Sequence, residues 1–520
     1  MARLRSPRDR APVLLLIPAV AAAIVALLPL WYLIDQATSQ GFGAVWDEIV
    51  QDRTLWLVLR SLGLTAVVTT GCVVIGVIAA VLVVKTSLPG RRIWHVALTV
   101  PLAIPSYVAA YTWVSWRPEI AGFGGAALVL TLGSFPYVYL PVASALSRLD
   151  PATEEVATSL GLAPWRVLLT VSVRQVRPAI GAGALLVALY VLSDFGAVGT
   201  MRYEAFSWVI YGAFRSGFNP ARAAILACVL VAVAAVFVAA ESRLRGRPSF
   251  IRLGAGAPRP QQAVALGRAT PVALGFTTAV LALALGFPVV NLAIWFNRGL
   301  SADFDLGAIG SALGDTLLLS AAGALLTMAL AIPVGALAAR RRGPLVQLVE
   351  RATYIGHGLP AIVIALSMVF VGVHLLEPIY QRTPLVALAY AVLFLPLGVG
   401  AVRGAVEQSP VVLEEVGRSL GYSPMAVLRR ITLRLAAPGV AAGTALVMLT
   451  AVKELPATLL LHPTGSETLA MGLWSNTNIG RYAAAAPYAA TLVLLASVPT
   501  LVLTRMSRTL APNDAGGLTP

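Results

Sequence analysis

The sequence predicts an all-α integral membrane protein of about 12 transmembrane helices, arranged as two parallel six-helix repeats. Composition and a repeated pattern support this fold class. Of the 520 residues, 58% are hydrophobic and 12% are charged, and the mean hydropathy is +0.83. Such a chain has too little polar surface to cover a soluble globule of its size. A transmembrane β-barrel would alternate apolar and polar residues along each strand, whereas residues 73–84 are continuously apolar.

Apolar segments long enough to cross a bilayer recur along the whole chain. A helix of about 20 residues crosses the roughly 30 Å of hydrocarbon, and six such segments occur in each half of the sequence. The predicted spans are 12–34, 55–84, 94–115, 122–147, 179–200, 222–240, 271–296, 312–339, 352–374, 384–403, 439–461 and 485–505.

The distribution of basic residues predicts the orientation of these spans. Lys and Arg are retained on the cytoplasmic side of membrane helices. With the N- and C-termini in the cytoplasm, most of the 38 Lys and Arg residues fall in cytoplasmic segments. The net charge of +15 then reflects topology and contact with anionic membrane lipid, and we expect no nucleic-acid partner.

Residue types that carry catalysis or bind metals are sparse in this chain. Cys72 and Cys228 lie in apolar segments, and the four histidines lack the spacing of a ligand set. We therefore expect neither a disulfide framework nor a metal site. No H-E-x-x-H or G-x-S-x-G sequence occurs, so we predict no catalytic residue and no enzyme activity.

One polar pattern occurs twice and predicts a tandem duplication. EEVATSLGLAPWRVLLTVSVRQVRP begins at Glu154, and EEVGRSLGYSPMAVLRRITLRLAAP begins at Glu414, 260 residues later. Both halves have the same orientation, so the repeat is parallel. The predicted domains are an N-terminal basic segment with the first helix and an outer loop (1–54), module 1 (55–241), a cytoplasmic linker (242–270), helix 7 with an outer loop (271–311), module 2 (312–505) and a cytoplasmic tail (506–520).

Each copy of the pattern predicts a compact helix–turn–helix. We name these the first hook (residues 150–178) and the second hook (residues 409–438). Asp150 and Ser409 are predicted helix caps, because their side chains accept hydrogen bonds from free backbone N–H groups and a proline follows each as the first helical residue. The alternative is that each hook is only a well-capped connecting loop.

The two hooks share further features at identical spacing. Acidic residues lie in the first turns of each short helix, where the helix dipole favours negative charge; they are Glu154, Glu155, Glu414 and Glu415. A glycine ends each short helix, because it adopts the left-handed conformation at little cost, and a proline then opens a second helix. These residues are Gly161, Pro164, Gly421 and Pro424, and the second helices are expected to end before Pro178 and Pro438.

This pattern resembles the cytoplasmic loop of bacterial ABC importer permeases, in which Glu-Ala-Ala, a glycine and a later proline mark the helix that docks into a cleft of the ATPase subunit. The alanines are replaced here, giving Glu-Val-Ala and Glu-Val-Gly. The resemblance implies a type I ABC importer-like permease in the bacterial inner membrane, whose hooks couple to two separate ABC ATPase subunits. The expected contact residues are Val156, Leu160, Leu162, Trp165, Val416, Leu420, Tyr422 and Met425, with Glu155 and Glu415 setting orientation.

The chain has no nucleotide site of its own. Its only lysines are Lys85 and Lys453, and neither is the lysine of a G-x-x-x-x-G-K pattern. We therefore expect this chain to bind no cofactor, with ATP used by the partner subunits.

Ionisable residues in the predicted span 439–461 suggest a translocation pathway. Lys453 and Glu454 lie there, and Asp194 occupies the equivalent position in the first half. Because ionised groups inside a membrane are costly, a functional role is the default interpretation. We predict that the two carboxylates line a route for a cation. In the alternative, they pack between helices and bind neighbouring backbone groups.

The stretch around Glu454 has a second resemblance. Lys-Glu-Leu-Pro-Ala-Thr, followed by His-Pro-Thr-Gly, looks like the second half of the fused two-module ferric-iron importer permeases, and the resemblance covers most of residues 55–505. It implies import of Fe³⁺ delivered by a periplasmic or lipoprotein solute-binding protein. Thiamine, phosphonate and polyamine permeases share the architecture, so these solutes stay open. A secondary transporter that uses intramembrane carboxylates is the alternative function.

Overall fold

The computed structural model describes residues 13–215, 219–244, 263–299, 305–341, 343–356 and 359–508. Most of the predicted linker and tail, and the basic start of the chain, lie outside the described residues. Within these ranges the chain is helical, and it has no β-strand beyond an isolated bridge between Thr86 and Val264. The prediction of an all-α protein is confirmed.

The helices follow one another with short connections. In the first half they are Val13–Thr38, Phe42–Val50, Asp52–Lys85, Arg91–Ala97, Ser106–Trp116, Phe123–Ser134, Pro136–Ser147, Pro151–Ser159, Pro164–Val167, Val173–Gln175, Arg177–Ser193, Gly196–Thr200, Phe206–Arg215 and Pro220–Leu244. In the second half they are Thr270–Leu281, Phe287–Gly299, Leu306–Arg340, Pro344–Ile355, Ala361–His374, Thr383–Glu407, Val411–Ser419, Pro424–Val427, Leu433–Val452, Pro456–Leu461, Leu469–Asn478 and Tyr482–Arg508.

The described helices include eight that are long and apolar enough to cross a membrane, or ten if each of two bent pairs forms one span. This is fewer than the twelve spans that the sequence predicts. Of the two remaining predicted spans, 352–374 overlaps the shorter apolar helix Ala361–His374, and 485–505 lies within the 27-residue helix Tyr482–Arg508. The twelve predicted spans thus correspond to the eight long helices, the two bent pairs and these two further helices.

Two predicted spans are broken rather than straight. Arg91–Ala103 meets Ser106–Trp116 at an angle of 87°, and Pro105 lies at the corner. Pro164–Gln175 meets Arg177–Ser193 at 64°. Proline removes a backbone N–H and clashes with the preceding turn, so a helix bends or restarts where one occurs. The prediction of one unbroken span at 94–115 is wrong for this reason. The predicted span 179–200 begins after the second bend and is interrupted later, at Asp194.

Contacts group the chain into two units, each built from three segments. The first unit is Met1–Leu55, Val209–Ala232 and Asp305–Gly472, and the second unit is Trp56–Trp208, Val233–Phe304 and Leu473–Pro520. Each unit thus combines the central part of one predicted module with segments that lie far away in sequence. The module boundaries read from the sequence repeat stay a prediction.

Small residues let the helices of the first unit pack closely. In the helix Leu306–Arg340, a Cβ added at Gly323 would lie 2.6 Å from the Tyr390 ring, and one at Gly335 would lie 2.8 Å from Val402. The N-terminal helix adds a stripe of small residues to the same core. The stripe is Ala19, Ala22, Ala23 and Ala26, whose spacing places them on one helix face.

The second unit repeats this close packing around the helix Asp52–Lys85. A Cβ added at Gly76 would lie 2.9 Å from Val138, within the span Phe123–Ser147. The last long helix joins this unit through Tyr482, whose carbonyl accepts a hydrogen bond from the Tyr111 hydroxyl at 2.7 Å. In each unit, neighbouring helices therefore pack closely against one long helix that ends near a hook.

Candidate functional site

The first hook has the predicted helix–turn–helix. Its short helix is Pro151–Ser159, and the Asp150 side chain accepts a hydrogen bond from the Ala152 N–H at 3.1 Å. Gly161 ends the helix with φ +85°, and the Leu162 N–H donates to the Ala157 carbonyl at 3.2 Å. This is the hydrogen-bond pattern that closes helices at a left-handed glycine, so the predicted cap and stop are confirmed.

The second hook repeats the stop and differs at the start. Gly421 has φ +86°, and the Tyr422 N–H donates to the Gly417 carbonyl at 3.1 Å. The helix Val411–Ser419 begins after Pro410 without a side-chain cap, so the prediction that Ser409 caps it is wrong. The Ser409 hydroxyl is buried without a hydrogen-bond partner in the described part of the chain. Its carbonyl instead accepts a bond from Arg340 at 2.7 Å.

A second helix opens at the predicted proline in each hook. Pro164 and Pro424 are first helical residues, and the Ser423 hydroxyl accepts a bond from the Ala426 N–H at 3.3 Å. Each helix then passes through one π-helical segment, Leu168–Ser172 or Leu428–Thr432. In the first hook the helix ends before Pro178. In the second hook it continues through Pro438 to Val452, and the predicted end there is wrong.

Both hooks present apolar side chains to solvent. All eight predicted contact residues are exposed, and Leu160 and Leu420 are the most exposed, at 79% and 72%. Glu155 and Glu415 are exposed on the same short helices. Clustered exposed apolar residues beside charged ones are typical of protein interaction sites. The hooks therefore have the chemistry of docking surfaces.

The other glutamate of the first hook turns inward. Glu154 Oε1 accepts hydrogen bonds from Lys85 Nζ and from Ser172 Oγ, both at 2.7 Å. The Lys85 side chain is only 2% exposed, and Lys85 is the last residue of the long helix Asp52–Lys85. One carboxylate oxygen thus joins the hook to a membrane helix.

Glu414 makes the equivalent contacts in the second hook. Its Oε1 accepts hydrogen bonds from Arg340 Nε and Thr432 Oγ1, both at 2.8 Å. Arg340 ends the long helix Leu306–Arg340, and Arg418 lies 3.4 Å from the other carboxylate oxygen. We name the set Glu154, Lys85 and Ser172 the first clamp, and the set Glu414, Arg340 and Thr432 the second clamp.

Sequence reasoning missed the clamp partners. Lys85 was considered only as a candidate for nucleotide binding, and Arg340, Ser172 and Thr432 were not singled out. The available signal was the internal repeat: a basic residue ends the corresponding apolar segment in each half, and a hydroxyl residue lies 18 residues after each inward glutamate. Two equivalent polar residues that recur in both halves are candidates for one contact.

Asp194 lies at a break between two helices. The helix Arg177–Ser193 ends there, and the short helix Gly196–Thr200 follows. The Asp194 carboxylate is buried and accepts hydrogen bonds from the N–H groups of Ala197 at 2.8 Å and Val198 at 3.3 Å. Ser106 donates a further hydrogen bond to it. Every oxygen of this side chain therefore has a donor within its own unit.

Glu454 occupies the same kind of break in the other half. The helix Leu433–Val452 ends before Lys453, and Pro456–Leu461 begins a new helix, so the predicted span 439–461 is interrupted where Lys453 and Glu454 lie. Pro456 cannot continue the hydrogen-bond ladder, and the chain restarts there. The Glu454 carboxylate is buried and accepts bonds from the Ala457 N–H at 3.0 Å and the Thr458 N–H at 3.2 Å.

These contacts bear on the two roles considered for the carboxylates. Both side chains bind backbone N–H groups, as the packing alternative expects. A role in the pathway for Asp194, Lys453 and Glu454 stays a prediction. Across the described residues, no group of three or more His, Cys, Asp or Glu side chains is arranged to hold a metal ion.

Comparison with known proteins gives matches over most of the chain. A family model described as binding-protein-dependent transport system inner membrane component matches residues 72–242 and 331–513. The Fe(3+)-transport system permease protein FbpB 2 of Haemophilus influenzae is 35% identical over 498 residues, which cover 95% of this chain and 98% of that protein.

More distant relatives match only part of this chain. The sulfate transport system permease protein CysT of Escherichia coli is 26% identical over 230 residues, or 40% of this chain and 83% of that protein. The molybdenum transport system permease protein ModB of Escherichia coli is 27% identical over 165 residues, or 29% of this chain and 72% of that protein. This chain thus matches the family model twice, whereas these relatives match less than half of it.

Proposed function

The chain belongs to the family of binding-protein-dependent transport system inner membrane components, and from this premise we propose that it imports Fe³⁺ with two separate ATPase subunits. It is a permease of an ABC importer and works with a solute-binding protein and ATPase partners. The cargo, the number of ATPases and the cytoplasmic position of the hooks belong to the proposal. This chain binds no cofactor, and the ATP is used by its partners.

One observation carries the proposal of two ATPase partners. The chain has two hooks, and each exposes an apolar group of side chains on a rigid short helix that begins and ends at defined residues. A rigid helix seated in a groove of a partner converts movement of that partner into movement of the attached spans, whereas a flexible loop would absorb it. Two such helices need two partner grooves, one on each ATPase subunit.

The transport cycle follows from this arrangement. ATP binding closes the two ATPase subunits on each other, and each carries its hook along. The attached helices then move between inward-open and outward-open states, and the binding protein delivers its solute to the outward-open state. A ligand or partner shifts such an equilibrium only as far as it binds the two states differently. Energy therefore enters through the hooks, and the binding protein selects the solute.

Ferric ion is the proposed cargo because the relative that matches 95% of this chain is a Fe(3+)-transport permease. Fe³⁺ prefers hard oxygen ligands, and the pathway carboxylates Asp194 and Glu454 have oxygen atoms of this kind. Both side chains already bind backbone N–H groups. We therefore infer that they favour passage of a cation by their charge and do not form a complete coordination shell.

Uptake of ferric citrate by cells that contain or lack this chain tests the proposal. We expect ATP-dependent iron uptake that disappears when the chain is absent, and weaker or no uptake of thiamine, phosphonate, putrescine or sulfate. A proton ionophore, applied while the ATP level is maintained, distinguishes ATP-driven import from the alternative function, secondary transport. Uptake that survives ATP depletion but stops with the ionophore would identify a secondary transporter, and uptake of another solute in place of iron would overturn the cargo.

A further inference from the structure

Each hook is fastened to its own unit by one inward-facing carboxylate. The first clamp joins three elements at one oxygen of Glu154: the end of the helix Asp52–Lys85, the short hook helix, and the π-helical segment that contains Ser172. The second clamp joins the equivalent three elements through Glu414. The same contact thus occurs independently in both halves of the chain.

The clamp spans the position where a hook would otherwise move freely. The short helix and the second helix of each hook meet at a turn with a left-handed glycine, and a turn is easily bent. The clamp closes this turn from inside, because the carboxylate on the first helix binds a hydroxyl on the second. The third partner in each clamp is a cation at the end of a membrane helix. Lys85 lies 69 residues before Glu154, and Arg340 lies 74 residues before Glu414.

Burial makes these contacts rigid. Each ion pair has one buried and one partly buried side chain: Lys85 is 2% exposed against 22% for Glu154, and Glu414 is 5% exposed against 17% for Arg340. Charges that are removed from water interact strongly and are costly to separate, unlike exposed ion pairs, which contribute little. A hook that is pulled by a partner therefore draws the long helix along with it.

We propose that Glu154 and Glu414 are positioning residues that transmit the movement of each hook to the long helix of its unit. The inference rests on the proposed function, since it names how the hooks drive the spans. The neighbouring Glu155 and Glu415 face outward and belong to the docking surface. The two adjacent glutamates of each hook thus have separate tasks: the outer one contacts the partner and the inner one passes on its movement.

The test measures how much ATP is hydrolysed for each ion transported. The tagged full-length chain is purified with the ATPase that accompanies it and is reconstituted in vesicles. Ferric citrate is the probe, and the binding protein is supplied on the side from which iron is taken up. The variant Glu154→Gln/Glu414→Gln keeps side-chain shape and removes both charges. We expect it to retain the ATPase and to raise the ATP-to-iron ratio at least about fivefold, the lower end of usual coupling free energies.

A second pair of variants separates transmission from general stability. In Glu154→Lys/Lys85→Glu the ion pair is reversed, and the Ser172 hydroxyl accepts or donates equally well, so we expect the ratio to return toward the wild-type value. Glu407→Gln is the matched control, because Glu407 pairs with Arg403 at 2.8 Å on an exposed surface. This control should keep the wild-type ratio.

Several outcomes would overturn the inference. A wild-type ratio in the double Gln variant contradicts it, and so does a reversed pair whose ratio is as high as that of the double Gln variant. If the Gln variant no longer retains the ATPase, Ser172→Ala/Thr432→Val decides, because it removes one hydrogen bond from each clamp and leaves both charges paired. A raised ratio in that variant supports transmission, and an unchanged ratio contradicts it.

Failure of the proposed function would give a different result. It would appear already in the wild-type complex, as ATP hydrolysis without iron uptake. The same ratio, measured with the solute that is transported, would then still test the clamps.

Discussion

Glu154 and Glu155 are adjacent in sequence and lie in different environments. Glu154 accepts hydrogen bonds from Lys85 and Ser172 inside its unit, whereas Glu155 is exposed on the outer side of the same short helix. Glu414 and Glu415 repeat this division in the second hook. A helix turns about 100° for each residue, so two adjacent acidic residues on a half-buried helix cannot share one environment.

Charging the exposed surface of the hooks should prevent partner binding. We expect Leu160→Asp and Leu420→Asp together to abolish copurification of the ATPase, because both side chains are among the most exposed apolar groups of the hooks and a buried unpaired carboxylate at an interface is costly. The amount of ATPase that is pulled down with the chain from membranes measures partner binding. The control is Leu494→Ala, which changes an exposed apolar residue outside the hooks. Full ATPase recovery with both hook changes would contradict the docking role.

The left-handed glycines should be needed for their backbone conformation. Gly161 and Gly421 have open space around them, so Gly161→Val and Gly421→Val introduce no clash but place a β-branched residue at positive φ, which costs about 1–2 kcal/mol or more. We expect iron uptake to fall strongly while membrane insertion is unchanged. Gly404→Val is the control, because Gly404 also has open space but lies in a helix with ordinary φ. Normal uptake in the double variant would show that the hook tolerates the distortion.

Two substitutions of Glu454 should separate charge from capping. Glu454→Gln keeps an oxygen that can accept from the Ala457 and Thr458 N–H groups but removes the charge, so we expect uptake to fall about tenfold, or 1.4 kcal/mol, with little change in thermal stability. Glu454→Ala also leaves those donors unpaired and should lower stability by about 1–3 kcal/mol. Uptake assays and thermal unfolding in detergent measure both. Wild-type uptake in the Gln variant would limit Glu454 to packing.

Close packing along the helix Leu306–Arg340 should be sensitive to one added methyl group. At Gly323 a Cβ would lie 2.6 Å from Tyr390, whereas at Gly314 on the same helix it would meet nothing within 4 Å. We expect Gly323→Ala to lower the free energy of unfolding by about 1–3 kcal/mol through overpacking. Gly314→Ala should leave it unchanged or raise it slightly, since alanine favours the helix. Equal stability of the two variants would mean that Tyr390 moves aside freely.

Local chemistry made much of the hooks predictable. Asp150, Gly161 and Pro164 act on backbone groups only a few residues away, so their roles follow from sequence spacing alone. The same reasoning failed at Ser409, whose side chain does not cap the helix and whose carbonyl accepts a hydrogen bond from Arg340 on a distant helix.

The sequence by itself determined the class of protein, its internal duplication and the glycines that end the short hook helices, because composition, repetition and helix termination are properties of neighbouring residues. The tertiary structure decided which glutamate of each hook turns inward, which basic residue meets it, and where the spans break around Asp194 and Glu454. Lys85 and Arg340 reach their carboxylates only after helices 69 and 74 residues away have packed together. Apolar periodicity predicts which residues are removed from water, but the pairing of charges inside the protein depends on how the helices pack.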